Sequence, residues 1–224
     1  IHDNPVHHAN QSRAIAAIRP RAVVWEMIPE GTVVPADVTD VDRLAQALQW
    51  HERGWPDFSM YHPIFIAAGT ARHFGAEIPS DRARLAVRDG AMAAMPEGGR
   101  FGLDRPLPPD EQAQREAEQL SAHCDAMPME MMGGMVAAQR VRDAALARAV
   151  LQALDMVGPP VAVITGSGHA RRDWGLPAVL AIAAPEVSVL SVGQMESDPG
   201  PAAPFDLWLV TEAAERPDPC AAFR

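Results

Sequence analysis

The stretch Val161-Ala162-Val163-Ile164-Thr165-Gly166-Ser167-Gly168-His169 decides the fold. Its four apolar residues are followed at once by a turn of small residues and then by an imidazole. A short apolar run of this kind is typical of a strand that is buried on both faces. A second run, Ala22-Val23-Val24-Trp25-Glu26-Met27, has the same character. Two such strands within a chain rich in helical patterns predict an α/β fold.

Strand and helix patterns alternate along most of the chain. Asn4 and Pro5 form a helix start, because Asn caps well and Pro fits the first helical position. Strand–helix–strand alternation with fully apolar strands favours a mostly parallel sheet flanked by helices. The predicted helices cover residues 4–19, 39–49, 58–74, 110–123, 134–156 and 177–184, and further strands are expected at 77–78, 187–192 and 207–210.

The middle of the chain has a different composition. Residues 80–132 hold a Pro- and Gly-rich patch and a polar helix, with no pattern typical of a strand. We interpret this segment as a smaller helical subdomain, inserted into a parallel-sheet α/β domain formed by residues 1–79 and 133–224.

Composition excludes several classes of function. The formal net charge is −10 and all the basic residues are arginine, so a nucleic-acid partner is not expected and lysine chemistry is excluded. No apolar run has the length of a transmembrane segment. Cys124 and Cys220 form no CxxC motif. The sequence allows a disulfide between them, although we prefer the interpretation that both are unpaired, buried thiols.

Ionisable side chains collect where apolar strands end. His2 precedes the first helix, Glu26 lies near the end of its strand, and His169 follows the Val161 strand. Ligands of open parallel sheets bind outside the carboxyl ends of the strands, so we expect these three residues to face one crevice. Alternatively, His169 caps the next element and Glu26 pairs with an arginine, or the cluster is a hydrogen-bond network that only fixes the sheet.

Aromatic residues are concentrated between Trp50 and Phe74, and Tyr61 is the one tyrosine of the chain. A packed aromatic helix is the simpler interpretation. The alternative is an apolar wall for a flat ligand with a phenol oxygen presented from it, since tyrosinate is an axial ligand of ferric haem.

Methionines are dense between Met127 and Met135, close to His123 and Cys124. Thioethers of this kind are ligands for Cu(I). Irregular packing around the predicted subdomain is the interpretation we prefer, because Met adapts to uneven spaces.

Several motifs together resemble the ChaN family of bacterial iron-regulated lipoproteins, which belongs to a wider group with Tiki-type metalloproteases and erythromycin esterases. The resemblance covers almost the whole chain. The residues that carry it are His2-Asp3-Asn4-Pro5 with His7, His8 and Gln11; Trp25-Glu26-Met27; Trp55-Pro56-Asp57-Phe58 with Tyr61-His62-Pro63; His123-Cys124; Gln139, Arg142, Asp143 and Ala147; and Thr165 to Arg171 with Asp173, Gly175 and Pro177.

The resemblance implies a haem-binding protein of iron acquisition in which a tyrosine coordinates the iron and a homodimer encloses a pair of haems. Tyr61 matches that tyrosine. The resemblance also implies a periplasm-facing or outer-membrane lipoprotein, although the chain contains no lipobox cysteine. It identifies no donor or recipient protein for the haem. The family's Gly-Glu pair, expected just before His2, is not within this sequence.

Two functional hypotheses follow. The first is a non-catalytic haem-binding protein with Tyr61 as the iron ligand and with His2, Glu26 and His169 close to the cofactor. The second is a hydrolase that uses His2, Glu26 and His169 on a divalent metal ion or on a water, because two imidazoles and a carboxylate suit either role. The missing Gly-Glu pair weakens this second hypothesis if the mature protein lacks it.

Overall fold

A computed structural model describes residues 2–218, 220 and 221. Three parallel strands form the central sheet in the order β2-β1-β3, and a separate pair of parallel strands forms a second sheet. The strands are β1 (Ala22–Pro29), β2 (Arg72–Glu77), β3 (Val161–Ile164), β4 (Val192–Met195) and β5 (Leu207–Val210). The α-helices are α1 (Pro5–Ile18), α2 (Val41–Ala47), α3 (Phe58–Ala68), α4 (Ser80–Asp89), α5 (Ala91–Ala94), α6 (Pro109–Ala122), α7 (Met132–Val157), α8 (Ser167–Ala170) and α9 (Leu176–Ala183).

Helices cover both faces of the central sheet, which confirms the predicted fold class. Alternate residues of β1 point to opposite faces. Val23 and Trp25 pack with α1 and α3, whereas Ala22 and Val24 pack with α7 and its neighbours. Because both faces are buried, the strand is apolar along almost its whole length.

Three predicted elements have other bounds in the structure, and the short strand expected at 77–78 is the end of β2. Phe74 does not continue the helix that begins at Phe58, because the chain turns at Gly69 and β2 begins at Arg72. Within β2, Gly75 permits a close approach of β1, since a Cβ atom there would lie 2.1 Å from the Pro29 carbonyl oxygen. The predicted strand at residues 187–192 is also displaced, because β4 pairs with β5 from Val192 onward.

Residues 80–132, all of which are described, contain helices and turns and no strand. The buried side chains of α4 and α5 share one core with α7 and with the sheet residues Val24 and Phe74. This shared core positions α7 across one face of the sheet. The division of the chain into two domains stays a prediction.

The two cysteines are joined. The interpretation of Cys124 and Cys220 as unpaired thiols was wrong, because they form a disulfide with their Cα atoms 5.5 Å apart. The bond ties the end of the chain to the turn after α6. Among the described residues, no helix is both long and apolar enough to cross a membrane.

Candidate functional site

Three polar side chains from different parts of the chain meet at the carboxyl edge of the central sheet. Glu26 comes from β1, His169 from α8 directly after β3, and His2 from the residues before α1. Asn4 caps α1 by accepting a hydrogen bond from the backbone N–H of Val6, and its side-chain amide donates to Glu196. This double role ties the start of α1, next to His2, to the segment that follows β4 in the second sheet.

Glu26 is the centre of the cluster. Its Oε2 accepts hydrogen bonds from the Thr165 hydroxyl and from the Gly166 N–H, each at 2.7 Å. Its Oε1 lies 3.6 Å from His169 Nε2 and 3.9 Å from His2 Nε2. Burial alone would raise the pKa of this carboxyl, but the two imidazoles and the two hydrogen bonds hold the pKa below its usual value. Glu26 is therefore a carboxylate.

His169 is held between two carboxylates. Its Nδ1 donates to Asp143 Oδ1 at 2.7 Å, while its Nε2 faces Glu26. Burial by itself would lower the pKa of His169, but Glu26 and Asp143 outweigh that effect and raise the pKa to about 9. The ring is therefore an imidazolium at neutral pH. Burial raises the pKa of Asp143, and the attraction of His169 opposes that rise.

His2 is the more accessible imidazole of the cluster. Its side chain is 27% exposed and packs edge-on against Trp55. Burial lowers the pKa of His2 more than the attraction of Glu26 raises it, so this ring is neutral at pH 7. Its main-chain oxygen accepts hydrogen bonds from the Tyr61 hydroxyl and the His8 ring. His2 thus connects the cluster to Tyr61 through its backbone.

Tyr61 lies in the interior and not on an open surface. Its side chain is completely buried between the rings of His8 and Trp50, and its hydroxyl donates to the His2 carbonyl at 2.8 Å. Burial and the nearby charges of Glu26 and Asp3 raise the pKa of the phenol. The protonated phenol is therefore strongly favoured, and the hydroxyl already has a partner.

A first cavity of about 500 Å³ opens beside Glu26 and His169. Apolar groups from Trp55, Ile78, Met135 and Leu146 form much of its wall, and His123 lies at its rim. Arg84 and Arg142 also line it, as do the carboxylates Glu26 and Glu77. Within the described part of the chain, neither arginine has a carboxylate within 4 Å. The cavity therefore combines apolar side chains with two arginines that have no close ion pair and two carboxylates, Glu26 and Glu77, that are paired with His169 and Arg53.

A family model described as "Haem-binding uptake, Tiki superfamily, ChaN" matches residues 1–180. The chain belongs to this family. A solved ChaN structure of Campylobacter jejuni, titled "Cofacial heme binding to ChaN of Campylobacter jejuni", is similar with a TM-score of 0.64 and 15% identity, over 87% of this chain and 78% of that one. At this identity the likeness shows the ChaN fold. No curated protein matches the chain.

Sequence reasoning gave Asp143 no role of its own in this ChaN-family site. One feature of the sequence could have indicated a role for Asp143. It is the only acidic residue between Glu130 and Asp155, in a helix rich in alanine. A buried carboxylate in such a helix requires a partner. Sequence reasoning also missed Arg84, whose contribution depends on how α4 packs against α7.

The methionine-rich stretch does not gather in one environment. Met132 is completely buried, whereas Met129 and Met131 are about half exposed. Cys124 is bonded to Cys220 and offers no thiolate. These placements agree better with irregular packing than with a Cu(I) site.

Proposed function

We propose that this chain binds haem, with the porphyrin seated in the first cavity. The observation that carries the proposal is the pairing of an apolar wall with Arg84 and Arg142, in a chain of the haem-binding ChaN family. Cofactor sites are mostly apolar, with a few placed polar groups, and measure about 300–1,000 Å³. Arginines bind carboxylates well, so the two guanidinium groups suit the two propionates of haem.

Haem supplies a ferric iron that takes an axial ligand from the protein. By resemblance that ligand is Tyr61, but the geometry supports this part of the proposal less well. Its phenol is buried, protonated and hydrogen-bonded to the His2 carbonyl. Tyr61 is not among the residues that line the first cavity, so a bond from Tyr61 to iron would require the residues around His2 to move away from the hydroxyl. The iron ligand therefore needs its own test.

The test of the cavity is a haemin titration of the purified protein, followed by absorption. We expect stoichiometric binding, and an affinity at least about tenfold lower for an Arg84→Met, Arg142→Met variant, because each arginine makes a charge-assisted contact. Arg140→Met is the matched control, since Arg140 lies on the same helix but faces a different cavity. Equal affinities in all three proteins would remove the first cavity from the proposal.

The test of the ligand is a Tyr61→Phe variant in the same titration. If Tyr61 binds the iron, the spectrum of the ferric complex changes while the stoichiometry stays the same. An unchanged spectrum assigns the iron to another residue and leaves the cavity part of the proposal intact.

The metal-hydrolase alternative is not favoured. Among the described residues, no three His, Cys, Asp or Glu side chains are grouped so that they could hold a metal ion. Glu26 and His169 instead satisfy one another, with Asp143, Thr165 and Gly166 completing their contacts. The absence of catalysis is part of the proposal, and assays with ester and peptide substrates check it.

The location and the assembly of the protein also belong to the proposal. Disulfides persist in oxidising compartments, so the Cys124–Cys220 bond supports a periplasm-facing protein. Haem-linked homodimerisation and lipid attachment are expected from the resemblance. Sedimentation of the protein with and without haemin, and mass spectrometry of the mature protein from its native host, test these two expectations.

A further inference from the structure

A second cavity of about 240 Å³ has Asp143 in its lining. It is bounded by α6, α7, α9 and the segment 101–108. Asp143 turns its carboxylate to His169, which lines the first cavity, and also contributes to the wall of the second. The two linings have no residue in common, and the Asp143–His169 pair connects them.

The charges that line the second cavity are balanced in number, but two of its arginines have no described carboxylate close to them. Three arginines and three carboxylates line it, but the carboxylates are already matched: Glu111 with Arg115, Asp173 with Arg171, and Asp143 with His169. Arg171 and His169 lie outside the lining. Arg105 and Arg140 are left, within the described part of the chain, without a carboxylate closer than 4 Å.

Arg140 is held in place by only part of its guanidinium group, so some of its N–H donors are free to bind a ligand. One of its terminal nitrogens, Nη2, donates to the carbonyl oxygens of Gly102 and Arg105, at 2.7 and 2.9 Å. The guanidinium group has five N–H donors, so several are still available to a ligand. Burial and the neighbouring Arg115 lower the pKa of Arg140, and the more distant carboxylates Glu111, Asp104 and Asp143 oppose this shift only in part.

Arg115 supports the same conclusion. The residue is 91% buried, and its Nε has no hydrogen-bond partner among the described residues. Its guanidinium carbon lies 5.1 Å from the centre of the Trp174 ring, which Arg171 also contacts at 3.6 Å. Trp174 is thus held in place at the wall of the cavity.

The remaining wall is apolar. Phe101 and Leu103 are almost completely buried, Ile182 is half exposed, and Leu107 completes the set. A bare inorganic anion would leave these surfaces in contact with water. A ligand that carries both a carboxylate and a compact apolar body would use the whole site.

We propose that the second cavity binds a small organic carboxylate, with Arg140 and Arg105 holding the carboxylate and with Phe101, Trp174 and Ile182 covering its apolar body. The volume is below the range of drug-sized ligands, so a single ring or a short branched chain is the expected size. The proposal is independent of haem binding.

Benzoate is the probe, and calorimetric titration of the full chain is the measurement. We expect benzoate to bind and benzamide, which has the same shape without the charge, to bind at least about tenfold more weakly. Arg140→Met should weaken benzoate binding about tenfold, and Arg142→Met, which changes the first cavity, should leave it unchanged. Arg105 is exposed, so we expect Arg105→Gln to fold. This variant tests the proposal even if Arg140→Met does not fold.

Three results would overturn the proposal. They are an absence of benzoate binding, equal binding of benzamide, and unchanged affinity in both arginine variants. Inorganic phosphate that competes as strongly as benzoate would also contradict it, because the apolar wall would then contribute nothing. Displacement of benzoate by haemin would show that the two cavities are not separate sites.

Discussion

Asp143 and His169 form a buried ion pair in which Asp143 Oδ1 lies 2.7 Å from His169 Nδ1. Both side chains are at least nine-tenths buried. The other ring nitrogen of His169 faces Glu26, so one imidazolium serves two carboxylates from different elements of the fold. A helix on one face of the sheet is thereby linked to the carboxyl edge of the central strand.

Asp143→Asn should destabilise the protein and lower the pKa of His169. Removing one partner of a buried pair typically costs about 3–5 kcal/mol, and because Glu26 still faces His169 we expect a loss below that range. Urea unfolding at pH 7 and an NMR titration of the His169 ring measure the two effects. Asp155→Asn, on an exposed position of the same helix, is the control. A His169 pKa that stays at about 9 would show that Glu26 alone maintains the charge.

The free energy of unfolding should fall as the pH rises from about 6.5 to about 9. The folded pKa of His169 is about 9, above the value of about 6.5 in an unfolded chain, so its stabilising contribution is complete below pH 6.5 and is lost as the pH rises through 9. The loss is on the order of 3 kcal/mol. Denaturant titrations across this range measure it. His169→Gln should flatten the slope, and a slope of the same size in that variant would contradict the assignment.

The sequence predicted the parts of the fold that depend on local patterns. Apolar runs located β1, β3 and β5, and the Asn4-Pro5 pair located the start of α1. The meeting of Glu26 and His169 could also be predicted, because parallel strands direct their carboxyl ends to one edge of a sheet, whereas His2 follows no described strand and joins them from the start of α1. That inference required topology alone and no knowledge of side-chain packing.

What the sequence could not predict depends on long-range packing. Gly69 is a local signal for the end of the helix, but the short segment between it and Phe74 has no alternating pattern that identifies a strand. The burial of Tyr61 comes from Trp50 and His8, which are separated from it by 11 and 53 residues. The partner of Cys124 is 96 residues away, and spacing alone does not identify it.

Gly166→Ala should displace the His2 ring, whereas Gly168→Ala should not. A Cβ atom on Gly166 would lie 2.8 Å from His2 Nε2, but one on Gly168 would meet nothing within 4 Å. Because burial is the main influence that lowers the pKa of His2, we expect the displaced ring to return toward its ordinary pKa of 6.5. NMR titrations of both variants measure this change. Equal shifts in the two variants would show that the effect is not steric.

Reduction of the Cys124–Cys220 bond should destabilise the protein without changing its fold. The bond closes a loop of almost one hundred residues, and cross-links of that length typically contribute about 2–5 kcal/mol, largely by restricting the unfolded chain. Urea unfolding with and without a reductant measures the difference. A Cys124→Ser, Cys220→Ser variant should match the reduced protein and should not respond to the reductant. If oxidised and reduced protein unfold at the same urea concentration, the bond does not form in solution, and its support for a periplasm-facing protein is lost with it.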